Sequence, residues 1–310
     1  MSESTGCCVQ KARNTTTLSW WRLGWLGLAV VAASVAPKAH AGDRLLGTWG
    51  VSEVDGAGGG GLTPWATITG TGSSNQNGGS VFATRLRTQD GYDLQISGAA
   101  VGIKDSIELS MARWSFKLGD TVPGKAIEMN VLGAKFKVAG DAVYDQDTLM
   151  PQVAVGAQLK ELAASDRDLV RSLGATGTSD IDVYATATKL WLGGLAGRNV
   201  IASGTARLTR ANQFGLVGFG GSGHETHKLQ LEGSLGLMLR DDLVLGAEYR
   251  MKPDNLASGG AILREDNAWD VFLAWFPCRG GSLTLAWVNL GNIVGKEDQA
   301  GLYLSAQASF

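Results

Sequence analysis

Residues 229–239 read Leu-Gln-Leu-Glu-Gly-Ser-Leu-Gly-Leu-Met-Leu, an alternation of apolar and polar or small side chains. Leu229 and Leu231 fall on one face of an extended chain, whereas Gln230 and Glu232 fall on the other. Because side chains of a β-strand point alternately to opposite faces, this period of two predicts a strand with one apolar surface. Similar strands recur as far as the last residue, which is typical of a membrane β-barrel.

The alternation predicts an all-β fold, a transmembrane antiparallel up-and-down β-barrel of 12 to 14 strands, with 14 as the best count. Residues 43–72 form either the first hairpin of the wall or a plug, and a plug would leave twelve wall strands. The predicted strands are 43–52, 63–72, 80–89, 91–102, 105–118, 126–140, 150–162, 179–191, 199–211, 227–239, 242–252, 267–277, 281–292 and 301–310.

The apolar strand faces carry tryptophans near the strand ends. Trp269, Trp275 and Trp287 lie where a membrane barrel has its interfacial rows of aromatic residues. A soluble β-sandwich would instead bury these faces in a core, but its strands are usually shorter and richer in turns. We therefore expect the apolar faces to contact lipid.

The N-terminal segment has the features of an export signal. Basic residues precede an apolar run over 23–36, and Ala39-His40-Ala41 forms an A-x-A cleavage site. The run is shorter than the about 20 residues that a membrane-spanning helix needs. We expect a signal peptide over 1–41 and one barrel domain over 42–310, with an uncleaved anchor as the alternative.

The charge balance excludes one class of partner. Removal of residues 1–41 takes 27 basic and 29 acidic residues to 23 and 28, a net charge of −5. Phosphate binding needs clustered lysine and arginine, and the chain has no basic tract, so we expect no nucleic acid partner. Cys7 and Cys8 lie in the predicted signal, which leaves Cys278 without an internal disulfide partner.

The polar strand faces carry charges of both signs. In a barrel these side chains line the interior, where they either pair across the lumen or border a water-filled path. The sequence leaves both open, because no ring of a single sign is visible. The candidate pore-lining residues are Glu108, Glu128, Lys135, Lys137, Lys160, Arg207, Glu232, Glu248, Arg250 and Asp270.

These features favour a narrow channel or passive transporter for small solutes, and not an enzyme. One alternative is a structural or assembly barrel with a closed lumen. The other is a hydrolase that uses His224 or His227 inside the barrel. The string His-Glu-Thr-His at 224–227 does not match the zinc motif H-E-x-x-H, and we predict no metal site and no cofactor.

Three segments resemble a bacterial family called domain of unknown function 3034. They are Glu53–Ala66, which reads Glu-Val-Asp-Gly-Ala-Gly-Gly-Gly-Gly-Leu-Thr-Pro-Trp-Ala, then Asp105–Leu109 with Ser110, and the ending Gly301–Phe310. The resemblance implies an exported outer-membrane protein of Gram-negative bacteria and supplies no catalytic residues. The expected partners are outer-membrane lipid, small solutes and the outer-membrane assembly machinery, which would recognise Phe310 at the end of the closing strand.

Overall fold

The computed structural model describes residues 44–310, so the predicted signal peptide with Ala39 and Ala41 lies outside the described residues. In this part of the chain, twelve antiparallel strands close into a barrel, and each pairs with its neighbours in sequence. The wall strands are β3 (Asn77–Thr88), β4 (Asp93–Ile103), β5 (Ile107–Lys117), β6 (Ala126–Ala139), β7 (Gln152–Leu162), β8 (Ser179–Leu195), β9 (Arg198–Thr209), β10 (Lys228–Arg240), β11 (Leu243–Arg250), β12 (Ala268–Cys278), β13 (Gly281–Asn289) and β14 (Ala300–Ser309).

The predicted all-β barrel is confirmed, and its wall has the lower of the predicted strand numbers across residues 44–310. The segments predicted as the first two strands, 43–52 and 63–72, are not part of the wall. The described residues among them lie inside the barrel, together with a separate two-stranded sheet of β1 (Val51–Ser52) and β2 (Gly58–Gly59).

Helix is scarce in the described chain. The α-helix α1 (Arg167–Ser172) lies in the loop between β7 and β8. Short 3₁₀ turns cover Ala164–Asp166, Asn212–Gly215, Ala257–Gly259 and Ala261–Leu263. No helix within residues 44–310 is long and apolar enough to cross a membrane.

The two ends of the barrel differ in their connections. At one end, here called the turn end, most hairpins are tight, and Lys104 and Asp105 both have the positive φ that a type I′ turn requires. The opposite end, the loop end, carries the longer connections, including 163–178 and 251–267. Two connections break the pattern, because 89–92 is short at the loop end and 140–151 is long at the turn end.

The last strand closes the barrel by pairing with β3, from Gly301 opposite Thr88 to Ser309 opposite Ser80. Phe310 extends this contact, because its N–H donates to the Gly79 carbonyl at 2.9 Å and its own carbonyl accepts from the Gly79 N–H at 2.8 Å. A Cβ at Gly79 would lie 2.9 Å from the Phe310 ring, so a larger residue would displace the ring. Recognition of Phe310 by assembly machinery stays a prediction.

The outer surface of the wall is apolar. Trp269, Trp275 and Trp287 point outward with exposed fractions of 40%, 42% and 43%, and Leu229 and Leu235 of the first quoted strand are also exposed. A water-soluble surface rarely presents so continuous an apolar area, whereas a lipid-facing one does. The tryptophans lie toward the ends of their strands, as aromatic rows at membrane interfaces do.

Candidate functional site: the plugged barrel interior

Residues 44–72 fill the barrel and are called the plug. Every residue from 47 to 72 is buried. The glycine run at 58–61 allows the backbone to approach the wall closely, because a Cβ at Gly60 would lie 2.0 Å from a Glu248 carboxylate oxygen. The glycine-rich string is therefore the part of the plug that fits against β11.

Glu248 of β11 binds the plug backbone. Its carboxylate accepts hydrogen bonds from the Gly61 N–H at 2.6 Å, the Leu62 N–H at 2.7 Å and the Thr63 hydroxyl at 2.6 Å. Buried amides that lack a strand partner need another acceptor. The wall carboxylate supplies it here.

Glu108 of β5 does the same for another part of the plug. It accepts from the Gly58 N–H at 2.9 Å and the Thr69 N–H at 2.7 Å. Lys135 of β6 lies 3.1 Å from Glu108 and donates to the carbonyls of Gly58 and Trp65. The irregular plug backbone is thus held by charged wall side chains.

The plug carboxylates face basic residues of the wall. Both Lys160 of β7 and Arg250 of β11 contact the same oxygen of Asp55, at 3.0 and 2.7 Å. Glu53 accepts a 2.6 Å hydrogen bond from Gln158 and lies 3.8 Å from Arg250. Both carboxylates are fully buried, and buried charges of this kind require partners.

Lys160, Arg207 and Arg250 are called the basic arc. Their neighbours on the intervening strands are the wall carboxylates Asp182 and Glu232. Lys160 lies 3.1 Å from Asp182, and Arg207 forms its shortest ion pair with Glu232. The arc therefore meets carboxylates from both the wall and the plug.

Residues 211–221, called the inward loop, are all buried and cover this cluster from the loop end. The Phe214 ring lies 4.7 Å from the Arg250 guanidinium carbon, and its carbonyl accepts from Lys160 at 3.1 Å. Gln213 and Phe214 have positive φ values of 45° and 61°, which non-glycine residues adopt at a cost. Surrounding contacts hold the loop in this strained shape.

Two buried titratable groups beside the inward loop, Glu265 and Lys252, make stability depend on pH. Burial raises the pKa of Glu265 to about 7 from its ordinary 4.5, and burial lowers the pKa of Lys252 to about 8. The folded protein favours protonated Glu265, so its contribution to stability is full below pH 4.5 and is lost as the pH rises to about 7. Lys252, with a pKa of about 8, changes its contribution to stability only above that pH range.

Glu265→Gln should therefore flatten the pH dependence of unfolding between pH 4.5 and 7. The amide oxygen of glutamine still accepts from the Gln213 N–H, which Glu265 binds at 2.9 Å. Denaturant unfolding of both proteins at several pH values measures the difference. We expect the wild-type free energy of unfolding to fall relative to the variant as the pH rises, and parallel curves would contradict the assignment.

Most of the predicted pore-lining side chains face the interior. Lys137 does so near the turn end, within 2.9 Å of Asp105 and 3.8 Å of Asp141. That any of them borders a conducting path stays a prediction. The fully enclosed ones are Glu108, Lys135, Lys160, Arg207, Glu232, Glu248, Arg250 and Asp270.

Glu128 departs from this prediction. It lies on the outer surface near the loop end, paired with Arg113 at 2.6 Å. Glu128 and Lys135 are an odd number of positions apart on a stretch of β6 without a bulge, so they must point to opposite faces. Because Lys135 faces inward, Glu128 faces outward.

The predicted pore-lining residues do not include three interior carboxylates that the structure brings to the basic arc. Asp182 alternates with Ile181 and Val183 in a predicted strand, and this pattern was sufficient to find it. The plug sequence does not alternate between apolar and polar residues, so no pattern indicated that Glu53 and Asp55 contact the basic arc.

His224 and His227 lie in the loop between β9 and β10. His227 Nε2 lies 3.2 Å from an Asp180 carboxylate oxygen and 3.1 Å from the Ile181 carbonyl. His224 Nδ1 is 3.4 Å from the Ser222 carbonyl. Within residues 44–310, no three His, Cys, Asp or Glu side chains are grouped to hold a metal ion. The hydrolase alternative stays a prediction.

A family described as "Protein of unknown function (DUF3034)" matches residues 48–307. The chain belongs to this family. The match includes nearly all of the plug and the whole wall of the DUF3034 barrel except the last two residues of β14. No curated protein matches the sequence.

The DUF3034 chain is similar to several solved outer-membrane barrels at low identity. The KdgM porin in complex with disordered oligogalacturonate is 10% identical, with 74% of this chain and 99% of that chain covered and a TM-score of 0.46. The NanC porin is 9% identical, with 75% and 98% covered and a TM-score of 0.46. The Acinetobacter baumannii outer membrane protein Omp33 is 8% identical, with 77% and 99% covered and a TM-score of 0.41.

Proposed function

We propose that this DUF3034 protein is an outer-membrane barrel that passes small solutes when the plug is displaced, and that the described arrangement is its closed state. One observation carries the proposal. The plug fills the interior, and both of its carboxylates, Glu53 and Asp55, contact charged or polar side chains of the wall. The obstruction is thus held by polar contacts to the wall in addition to its apolar packing.

The polar inner wall favours a barrel that passes solutes, compared with a barrel whose interior is permanently filled. Burying an ion pair costs desolvation energy, and apolar residues of similar volume are often as stable or more so. The wall nevertheless presents Lys160, Arg207 and Glu232 to the plug. Such side chains suit a surface that contacts water when the plug is out, because water then replaces the plug's hydrogen bonds.

We infer the orientation of the barrel in the membrane from the lengths of the connections at its two ends. Bacterial outer-membrane barrels have short periplasmic turns and longer extracellular loops. We therefore place the turn end, with Phe310, in the periplasm and the loop end outside. The apolar outer face contacts lipid, and a cleaved signal over 1–41 delivers the chain to the periplasm.

A structural barrel with a permanently closed lumen is the second candidate. The observation that favours it is the inward loop, which covers the basic arc on the side away from the periplasm. Passage requires this loop to yield as well as the plug. Under the structural alternative, no variant of the plug would conduct.

Single-channel recording of folded protein in a planar bilayer tests the proposal. Asp55→Asn removes the charge that binds Lys160 and Arg250, which then keep their wall partners Asp182 and Glu232. We expect roughly tenfold more open time than in the wild type, since a charged hydrogen bond contributes about 1.5–3 kcal/mol.

Asp93→Asn is the matched control, because Asp93 pairs with exposed Arg85. It should record like the wild type. Silence from folded Asp55→Asn protein would favour the permanently closed barrel.

Thiol labelling separates plug movement from other causes of conductance. The Thr67 hydroxyl is buried and makes no hydrogen bond within the described chain, so Thr67→Cys is a mild change. Cys278 is exposed and is replaced by serine in the same protein. Adding Asp55→Asn should speed the reaction of Cys at 67 with a maleimide. Conductance without faster labelling would show that the plug is not the gate.

A further inference from the structure

The plug contacts divide the inner wall into two regions of opposite chemistry. The basic arc binds a carboxylate, that of Asp55. On the other region, Glu248 and Glu108 bind N–H and hydroxyl groups, and Lys135 beside Glu108 binds plug carbonyls. A solute that takes the place of the plug meets the same two sets of groups.

Carboxylates outnumber the cations of the basic arc only when the plug is in place. Its three cations face two wall carboxylates, Asp182 and Glu232, and two plug carboxylates, Glu53 and Asp55. Displacement of the plug leaves three cations with two wall carboxylates. Lys160 and Arg250 then each lose Asp55, one of their carboxylate partners, so this region favours an anion in the place of Asp55.

Arg250 joins the two regions. Its Nη2 donates to Asp55 at 2.7 Å, while its Nη1 donates to the Leu62 carbonyl at 2.8 Å. The N–H of that same Leu62 donates to Glu248 at 2.7 Å. Glu248 and Arg250 thus bind the N–H and the carbonyl of the same plug residue, Leu62. A small solute is long enough to contact both side chains.

We propose that the solute is a small carboxylate that also carries hydroxyl groups. Its carboxylate replaces that of Asp55 on the basic arc, where the planar guanidinium of Arg250 suits a carboxylate. Its hydroxyls replace the Thr63 hydroxyl and the plug amides on Glu248. This inference rests on the proposed function, because the solute needs the path that the plug opens.

The test is the ion preference of the full-length Asp55→Asn protein in a planar bilayer. Gluconate is a hydroxylated carboxylate, and N-methylglucamine is a hydroxylated cation of similar size. With a concentration gradient of N-methylglucamine gluconate across the bilayer, the reversal potential should show gluconate roughly tenfold more permeant, because one uncompensated charge concentrates anions at the arc. Gluconate should also permeate better than hexanoate, which lacks the hydroxyls.

A second substitution tests whether the basic arc causes the preference for gluconate. Adding Lys160→Gln should lower the ratio of gluconate to N-methylglucamine permeability. Arg85→Gln removes the same charge from the outer surface, where Arg85 pairs with Asp93, and should leave the ratio unchanged.

The outcomes separate this inference from the proposed function. Conductance with N-methylglucamine as permeant as gluconate overturns the inference and leaves gated passage in place. Equal permeation of hexanoate and gluconate overturns the assignment of hydroxyl groups to Glu248. Silence from folded Asp55→Asn protein overturns the proposed function, and the inference with it.

Discussion

Arg250→Ala should lower the free energy of unfolding by about 3–5 kcal/mol, the usual cost of leaving buried charges without their partner. The Arg250 guanidinium is buried and contacts Asp55 at 2.7 Å and Glu232 at 3.4 Å. It also donates to the Leu62 carbonyl. Its removal deprives the wall and the plug of a cation at the point where they meet.

The measurement is denaturant unfolding of protein folded in lipid vesicles, followed by tryptophan fluorescence. Arg85→Ala is the control, because Arg85 pairs with Asp93 at 2.6 Å but is exposed on the outer surface. An exposed pair contributes about 0–1 kcal/mol. Equal losses in the two variants would show that the interior ion pairs do not hold the barrel and plug together.

Leu235→Arg should destabilise the barrel by about 2–4 kcal/mol when it is folded in a bilayer. Leu235 lies near the middle of β10 and points outward, with Ala202 and Ala247 opposite it on the neighbouring strands. A charge there enters the hydrocarbon at its deepest point. The expected loss is therefore an effect of depth in the membrane.

Leu229→Arg is the matched control, because Leu229 has the same outward direction but lies next to the end of β10. Arginine near the interface costs about 0–1 kcal/mol. Both variants are unfolded from vesicles under the same conditions. If Leu235→Arg costs no more than Leu229→Arg, the outer face is not embedded in lipid as proposed.

The wall strands were predictable from the sequence. The predicted strand 227–239 compares with β10 at Lys228–Arg240, and 267–277 compares with β12 at Ala268–Cys278. Each wall residue faces either the outside or the interior, and these two environments select different side chains. The resulting period of two is a local signal, and it needs no knowledge of which strands pair.

The plug was not predictable in the same way. It is surrounded by wall on all sides, so no face of it alternates between two environments. The partners of Asp55 lie 105 residues away at Lys160 and 195 residues away at Arg250. Local patterns contain no information on such pairs. For this reason the sequence left residues 43–72 as either a hairpin or a plug.

Phe310 links the plug to the seam where the barrel closes. Its carbonyl accepts from the Thr71 N–H, where the plug leaves the interior, as well as from Gly79 at the start of the wall. Part of the site that holds the plug is thus made by the residue that follows the closing strand β14. The hydrogen bond from Thr71 therefore forms only when β14 has paired with β3, which ties the C-terminal end of the plug to closure of the wall.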